Sequence, residues 1–131
     1  MTPQAAHSMG NIDGLVALAK TYFDAAYAMD ADTFATIFDS NALVTRRSDG
    51  DCVLVTPIAA WLDAIRSLTS PQDAGSVRAD EIVSIAVTRD MALLKLRLRI
   101  PPREVTDLLS CYWLNGRWQI VQKVFAAETL A

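Results

Sequence analysis

The sequence predicts an α+β fold, and three observations carry that prediction. Apolar residues recur at helical spacing through the first half of the chain and mainly at strand spacing after about Val77. Asn115-Gly116 lies between two long apolar runs, and this pair is a strong hairpin sign because a type I′ turn needs positive φ at both central positions. The 131 residues make one domain, long enough to bury about two thirds of the unfolded surface without a metal or a disulfide. Helices segregated from a meander of long strands mean α+β rather than a doubly wound sheet.

The elements follow in order. Residues 1–11 read as a flexible segment, and 12–128 as a single domain. Ile12, Leu15, Val16, Ala19, Phe23, Ala26 and Tyr27 trace one helical stripe that breaks near Met29-Asp30. Asp30 or Asp32 can cap a short helix over ADTFATIFD, with Phe34, Ile37 and Phe38 on one face. ALVTRRS and CVLV read as strands around an SDGD turn. Thr56-Pro57 supplies a cap and a first-turn proline for a helix that presents Ile58, Trp61, Leu62, Ile65 and Leu68. Four long strands close the chain, with turns at Arg89-Asp90, at Pro101-Pro102, where neither proline can donate to a ladder, and at Asn115-Gly116.

Composition narrows the function classes. A net charge of −3 argues against nonspecific nucleic-acid binding. No apolar run approaches the roughly 20 residues of a membrane helix, and no secretory leader is evident, so a cytoplasmic protein is expected. Cys52 and Cys111 form no CxxC and read as free thiols. His7 is the one histidine, which leaves no His-based triad and few zinc options. No GxGxxG, P-loop or metal-ligand cluster occurs, so no cofactor is expected.

YFDAAYAMDADTFATIFDSNALV and LNGRWQIVQKVF, in this element order, resemble the nuclear transport factor 2-like superfamily. Within it, the chain is most similar to the lumazine-binding and SnoaL-like branch, over about Ile12 to Glu128. The resemblance implies a strongly bent mixed sheet wrapped as a cone around the N-terminal helix, with two further helices, a pocket, and dimers formed through the outer sheet face. It implies no single reaction, since this fold hosts isomerases, dehydratases, cyclases and binding proteins.

Counted straight back from its turn, the last hairpin pairs Ser110 with Val121, Leu108 with Lys123 and Thr106 with Phe125. That register sets Asp107, Leu109, Cys111, Trp113, Trp118, Ile120 and Val124 on one face, and Ser110, Lys123 and Phe125 on the other. Both faces are apolar, so both should be covered. The tryptophan face then reads as a homodimer interface of Leu109, Cys111, Trp113, Trp118, Ile120 and Val124, with Asp107 at its rim.

The resemblance to ketosteroid isomerases can be followed position by position. Tyr22 falls where those enzymes hold their helix tyrosine. Arg46 falls where they hold a base, and Ser110 where they hold a second aspartate. Arginine cannot abstract a proton at neutral pH, which rejects that mechanism for this chain.

The strand LLKLRLRI leaves two registers open. Alternation alone turns Leu94, Leu96 and Leu98 inward and Lys95, Arg97 and Arg99 to water. The isomerase count inverts this and gathers Lys95, Arg97, Lys123 and Arg46 into a cationic pocket that needs acidic side chains or an acidic ligand. The expected ligand-contacting set is Tyr22, Arg46, Lys95, Arg97, Ser110, Lys123 and Phe125. Two functions remain: a homodimeric protein that binds a small molecule of polar or anionic character, or a lyase, isomerase or cyclase whose acid–base pair the sequence does not locate. A bare dimerisation module would instead show a filled cavity.

Overall fold

A computed structural model describes residues 3–130, with side chains described from Ile12 onward. The segment 1–11 expected to be flexible lies largely outside the described side chains, as does His7; the α1 backbone (Pro3–Ala28) runs back to Pro3. Short α2 (Ala31–Ala35) follows, then β1 (Phe38–Arg47), β2 (Val53–Pro57), α3 (Ile58–Arg66), β3 (Glu81–Thr88), β4 (Met91–Ile100), β5 (Arg103–Leu114) and β6 (Arg117–Thr129).

Asp30 caps α2, and its carboxylate accepts the backbone N–H of Thr33. This helix is shorter than the sequence suggested. Phe38, expected on its apolar face, instead opens β1, where it remains buried. Pro57 is the cap of α3 rather than its first helical residue, and no side chain caps that helix.

The six strands form one bent, open mixed sheet in the order β2-β1-β6-β5-β4-β3. Only β1–β6 is parallel; the other neighbours are antiparallel. Asn115 and Gly116 take φ of 54° and 80°, which the type I′ turn requires and which glycine adopts without a Cβ clash.

Leu15, Leu18, Ala19, Tyr22, Phe23 and Ala26 of α1 are buried, while Ile12, placed on the same stripe by spacing, is half exposed. Leu94, Leu96 and Leu98 of β4 face this core. Each such leucine contributes about 1.5–3 kcal/mol by leaving water. Arg97 lies on the opposite side, 2.8 Å from Glu81 and 3.6 Å from Glu104. The alternation-only register of β4 is therefore the observed one, and Lys95 and Arg97 do not enter the interior.

The last hairpin departs from a straight count. Pairing runs from Leu114↔Arg117 to Cys111↔Ile120, then resumes as Ser110↔Gln122 and Leu109↔Lys123. Val121 is the extra residue of a β-bulge. One inserted residue inverts the facing of everything beyond it. Leu109, Cys111, Trp113, Trp118 and Ile120 therefore share the inner face with Asp107, Lys123 and Phe125. Leu109, Cys111, Trp118 and Ile120 are at most 5 % exposed in the single chain, which corrects their assignment to an outward face. Val124 does lie outside, beside Leu108. Among the described residues no helix is long and apolar enough to cross a membrane.

Candidate functional site

A cavity of about 220 Å³ opens between the inner sheet face and the helices. Alternate positions of β5 and β6 line one wall: Arg103, Val105 and Asp107, with Lys123, Phe125 and Ala127. The period of two that puts Leu109 in the core carries Asp107 into this wall. Tyr22 comes from α1, Phe34 from α2, and Trp61 and Ile65 from α3. Edge-to-face contacts fix these rings, with Phe34 5.0 Å from Trp61 and 5.2 Å from Tyr22 between centroids.

One polar cluster interrupts the apolar lining. The Tyr22 hydroxyl donates to Asp107 Oδ2 at 2.8 Å. Lys123 Nζ lies 3.7 Å from Oδ1, an ion pair beyond hydrogen-bond reach. Oδ1 itself has no hydrogen-bond partner and is fully buried. The ammonium sits over three rings, 4.3 Å from the centroid of Trp61, 4.9 Å from Phe125 and 5.3 Å from Tyr22. Such contacts favour its charged form.

Burial dominates the titration of all three groups. It raises the Asp107 carboxyl pKa, which Lys123 and the Tyr22 hydrogen bond partly pull back. It lowers the Lys123 pKa against the attraction of Asp107. It raises Tyr22 well above the usual phenol value, with the Asp107 charge adding to the effect, so Tyr22 remains a donor. The cluster can orient a ligand's hydroxyl or carbonyl, and Asp107 can take up or release a proton.

Of the seven expected ligand residues, Tyr22, Lys123 and Phe125 line this cavity. Arg46 is exposed in a separate groove with Arg47, Asp51 and Cys52. Lys95 and Arg97 belong to the outer side of β4, and Ser110 lines a shallow outer depression with Met91, Leu93, Tyr112 and Gln122. The convergent cationic pocket does not form; Lys123 alone of its four members enters, and it meets an acid.

Asp107, expected at a dimer rim, is the partner of both Tyr22 and Lys123. A sign of this was present in Val105-x-Asp107-x-Leu109-x-Cys111, where an acid occupies one position of an apolar alternation. Trp61 and Arg103 also line the site and were not singled out for it. Cys111 is buried, and burial pushes its thiol up to about 12, so it packs rather than attacks.

Comparison with known proteins identifies the family and the fold. The family described as "Putative lumazine-binding" matches residues 11–126. An NTF2-like protein of unknown function from Shewanella baltica superposes with a TM-score of 0.84 at 17 % identity, over 93 % of this chain and 97 % of that one. Another of unknown function, from Silicibacter pomeroyi, gives 0.80 at 25 % identity, over 98 % and 100 %. A ketosteroid isomerase-like protein from Erwinia carotovora atroseptica gives 0.69 at 14 %, over 90 % and 96 %, a likeness of fold alone. The search of curated proteins finds no match.

Proposed function

We infer, for a chain that belongs to the family described as "Putative lumazine-binding", that the cavity binds a small, largely apolar molecule by one polar group. The observation that carries this reading is the orphaned Asp107 Oδ1, a buried acceptor beside an ammonium in the cavity wall. A buried acceptor left unpaired costs about 1–3 kcal/mol, and a ligand hydroxyl would remove that cost. Calorimetric titration with 2-naphthol and with naphthalene tests this. The hydroxyl should improve binding about tenfold, the equivalent of about 1.4 kcal/mol. The advantage should vanish in the apolar double variant Asp107→Leu/Lys123→Met. Equal affinities for the two probes in the wild type would contradict the reading.

The same unpaired oxygen supports a second, catalytic reading. A carboxyl with a raised pKa, held by a tyrosine and facing an ammonium, is equipped to move a proton on a bound carbonyl compound. That is the acid–base chemistry of a lyase or isomerase. It would give a pH–rate profile that Asp107→Asn abolishes.

A homodimer is also part of this reading, through a face different from the one the straight count suggested. Met91, Leu93, Leu108, Tyr112 and Val124 are each 38–46 % exposed and lie together on the outer side of β4, β5 and β6. An apolar patch on a sheet face calls for a cover, and a second copy would supply a self-complementary one. Light scattering should give twice the chain mass for the wild type and the single-chain mass for Leu93→Lys/Leu108→Lys. A monomeric wild type at micromolar concentration would refute the dimer.

A further inference from the structure

We propose that the ligand is an elongated, apolar hydroxy or oxo acid, with its hydroxyl or carbonyl at Asp107 and its anionic end at Arg103 near the cavity mouth. This rests on the binding function inferred above and adds the class and direction of the molecule.

The argument is one of charge and spacing along β5. Asp107 and Lys123 oppose one another at 3.7 Å and are both almost fully buried. Their sum is neutral whether or not a proton passes between them. A carboxylate pushed to that depth would be desolvated against a neutral pair, and Asp107 would repel it. A hydroxyl or carbonyl meets no such penalty there, since Oδ1 can accept and the ammonium can donate.

Arg103 is different. It lines the same cavity, is exposed, and its guanidinium forms no ion pair or hydrogen bond among the described residues. Most other arginines nearby in the fold are engaged: Arg97 with Glu81 and Glu104, and Arg78 with Asp24 and Asp80. A guanidinium is a planar fork suited to a carboxylate, and one still in contact with water does not impose the full desolvation of the ligand's charge.

The separation is set by the strand. Asp107 lies four positions along β5 from Arg103, a Cα span of about 14 Å at about 3.4 Å per residue. Val105, Phe125, Leu98 and Ile100 line the cavity as well. They present apolar surface and no hydrogen-bonding side chain to the middle of the ligand. A rigid two-ring framework with polar ends fits this pattern better than a compact polar molecule.

The test uses 6-hydroxy-2-naphthoate, its neutral methyl ester, and 2-naphthol, titrated into the full-length protein at low salt. The acid should bind at least tenfold tighter than the ester. That gain should disappear in Arg103→Gln and largely survive in Arg103→Lys, while 2-naphthol binds all three proteins alike. Raising the ionic strength should shrink the gain, since the arginine is exposed. An acid that binds no better than its ester overturns the proposal. So does a gain that persists in Arg103→Gln, which would place the carboxylate elsewhere. Both of these failures leave 2-naphthol bound and the binding function intact. Failure of all three probes to bind overturns the binding function along with the proposal.

Discussion

Lys123→Ala is expected to lower stability at neutral pH by about 3–5 kcal/mol, the usual loss when one partner of a buried ion pair is removed. In a chain of this size that is a fall in melting temperature of about 10 °C or more. The cause is Asp107, 1 % exposed and left with one hydrogen bond from Tyr22 and no counter-charge. Asp107 can escape part of the penalty by binding a proton, so the variant should lose more stability as the pH rises. Replacing both members, Asp107→Leu/Lys123→Met, should restore most of the loss, because two apolar side chains fill the space without burying charge. A single variant as stable as the wild type would mean that water reaches the pair freely.

The same pair gives the wild type a pH signature relative to that double variant. The folded-state pKa of Asp107 is raised, so the fold retains a proton that the unfolded chain has released. That contribution is complete below the ordinary carboxylate value and is lost as the pH climbs through the raised one. The folded-state pKa of Lys123 is lowered, so its contribution is complete above the ordinary lysine value and is lost as the pH falls through the lowered one. Relative to the double variant, the wild type should therefore be least stable between the two shifted values and recover on both sides. Denaturant melts across this range measure it.

Leu109→Ala is the second large effect, a loss of about 2–5 kcal/mol from a cavity at a position with no exposure. The measurement also decides the facing of the last hairpin. A core leucine destabilises the chain equally at every protein concentration. Truncating an interface leucine gives a loss that changes with concentration and a shifted monomer–dimer equilibrium. Melts at two concentrations a hundredfold apart should show the same loss for Leu109→Ala, and a concentration-dependent loss would return Leu109 to an interface.

The fold was legible because its signals are local. The stripe of α1, the Asp30 cap, the alternating leucines of β4 and the Asn115-Gly116 turn each depend on a few neighbouring residues. The family resemblance agreed with them. What failed was a long-range inference from a local one. The turn fixes the pairing next to it, but the bulge at Val121 lies five residues beyond Gly116, and nothing in Gln119-Ile120-Val121-Gln122 marks it. That one residue moved Asp107 to the side of Tyr22 and Lys123.

The three site residues that were anticipated, Tyr22, Lys123 and Phe125, were found for partly wrong reasons. Lys123 and Phe125 do face inward, yet alongside the tryptophans rather than opposite them. The cationic pocket failed on energetics. Arg97 has Glu81 and Glu104 within reach on the outer side and has no cause to enter an apolar core. Asp107 was readable as a buried acid from the alternation around it, but its partners were not, because Tyr22 lies 85 residues away.

The most direct test of the central claim, that this cavity is a binding site organised by Asp107, is a two-dimensional NMR titration with 2-naphthol. The indole signal of Trp61 and the amides of Asp107, Val105, Lys123 and Phe125 should move together and saturate. Those of Leu93, Leu108 and Tyr112 on the outer face should stay in place. A ligand that shifts the outer face and leaves Trp61 and Asp107 unmoved would contradict it.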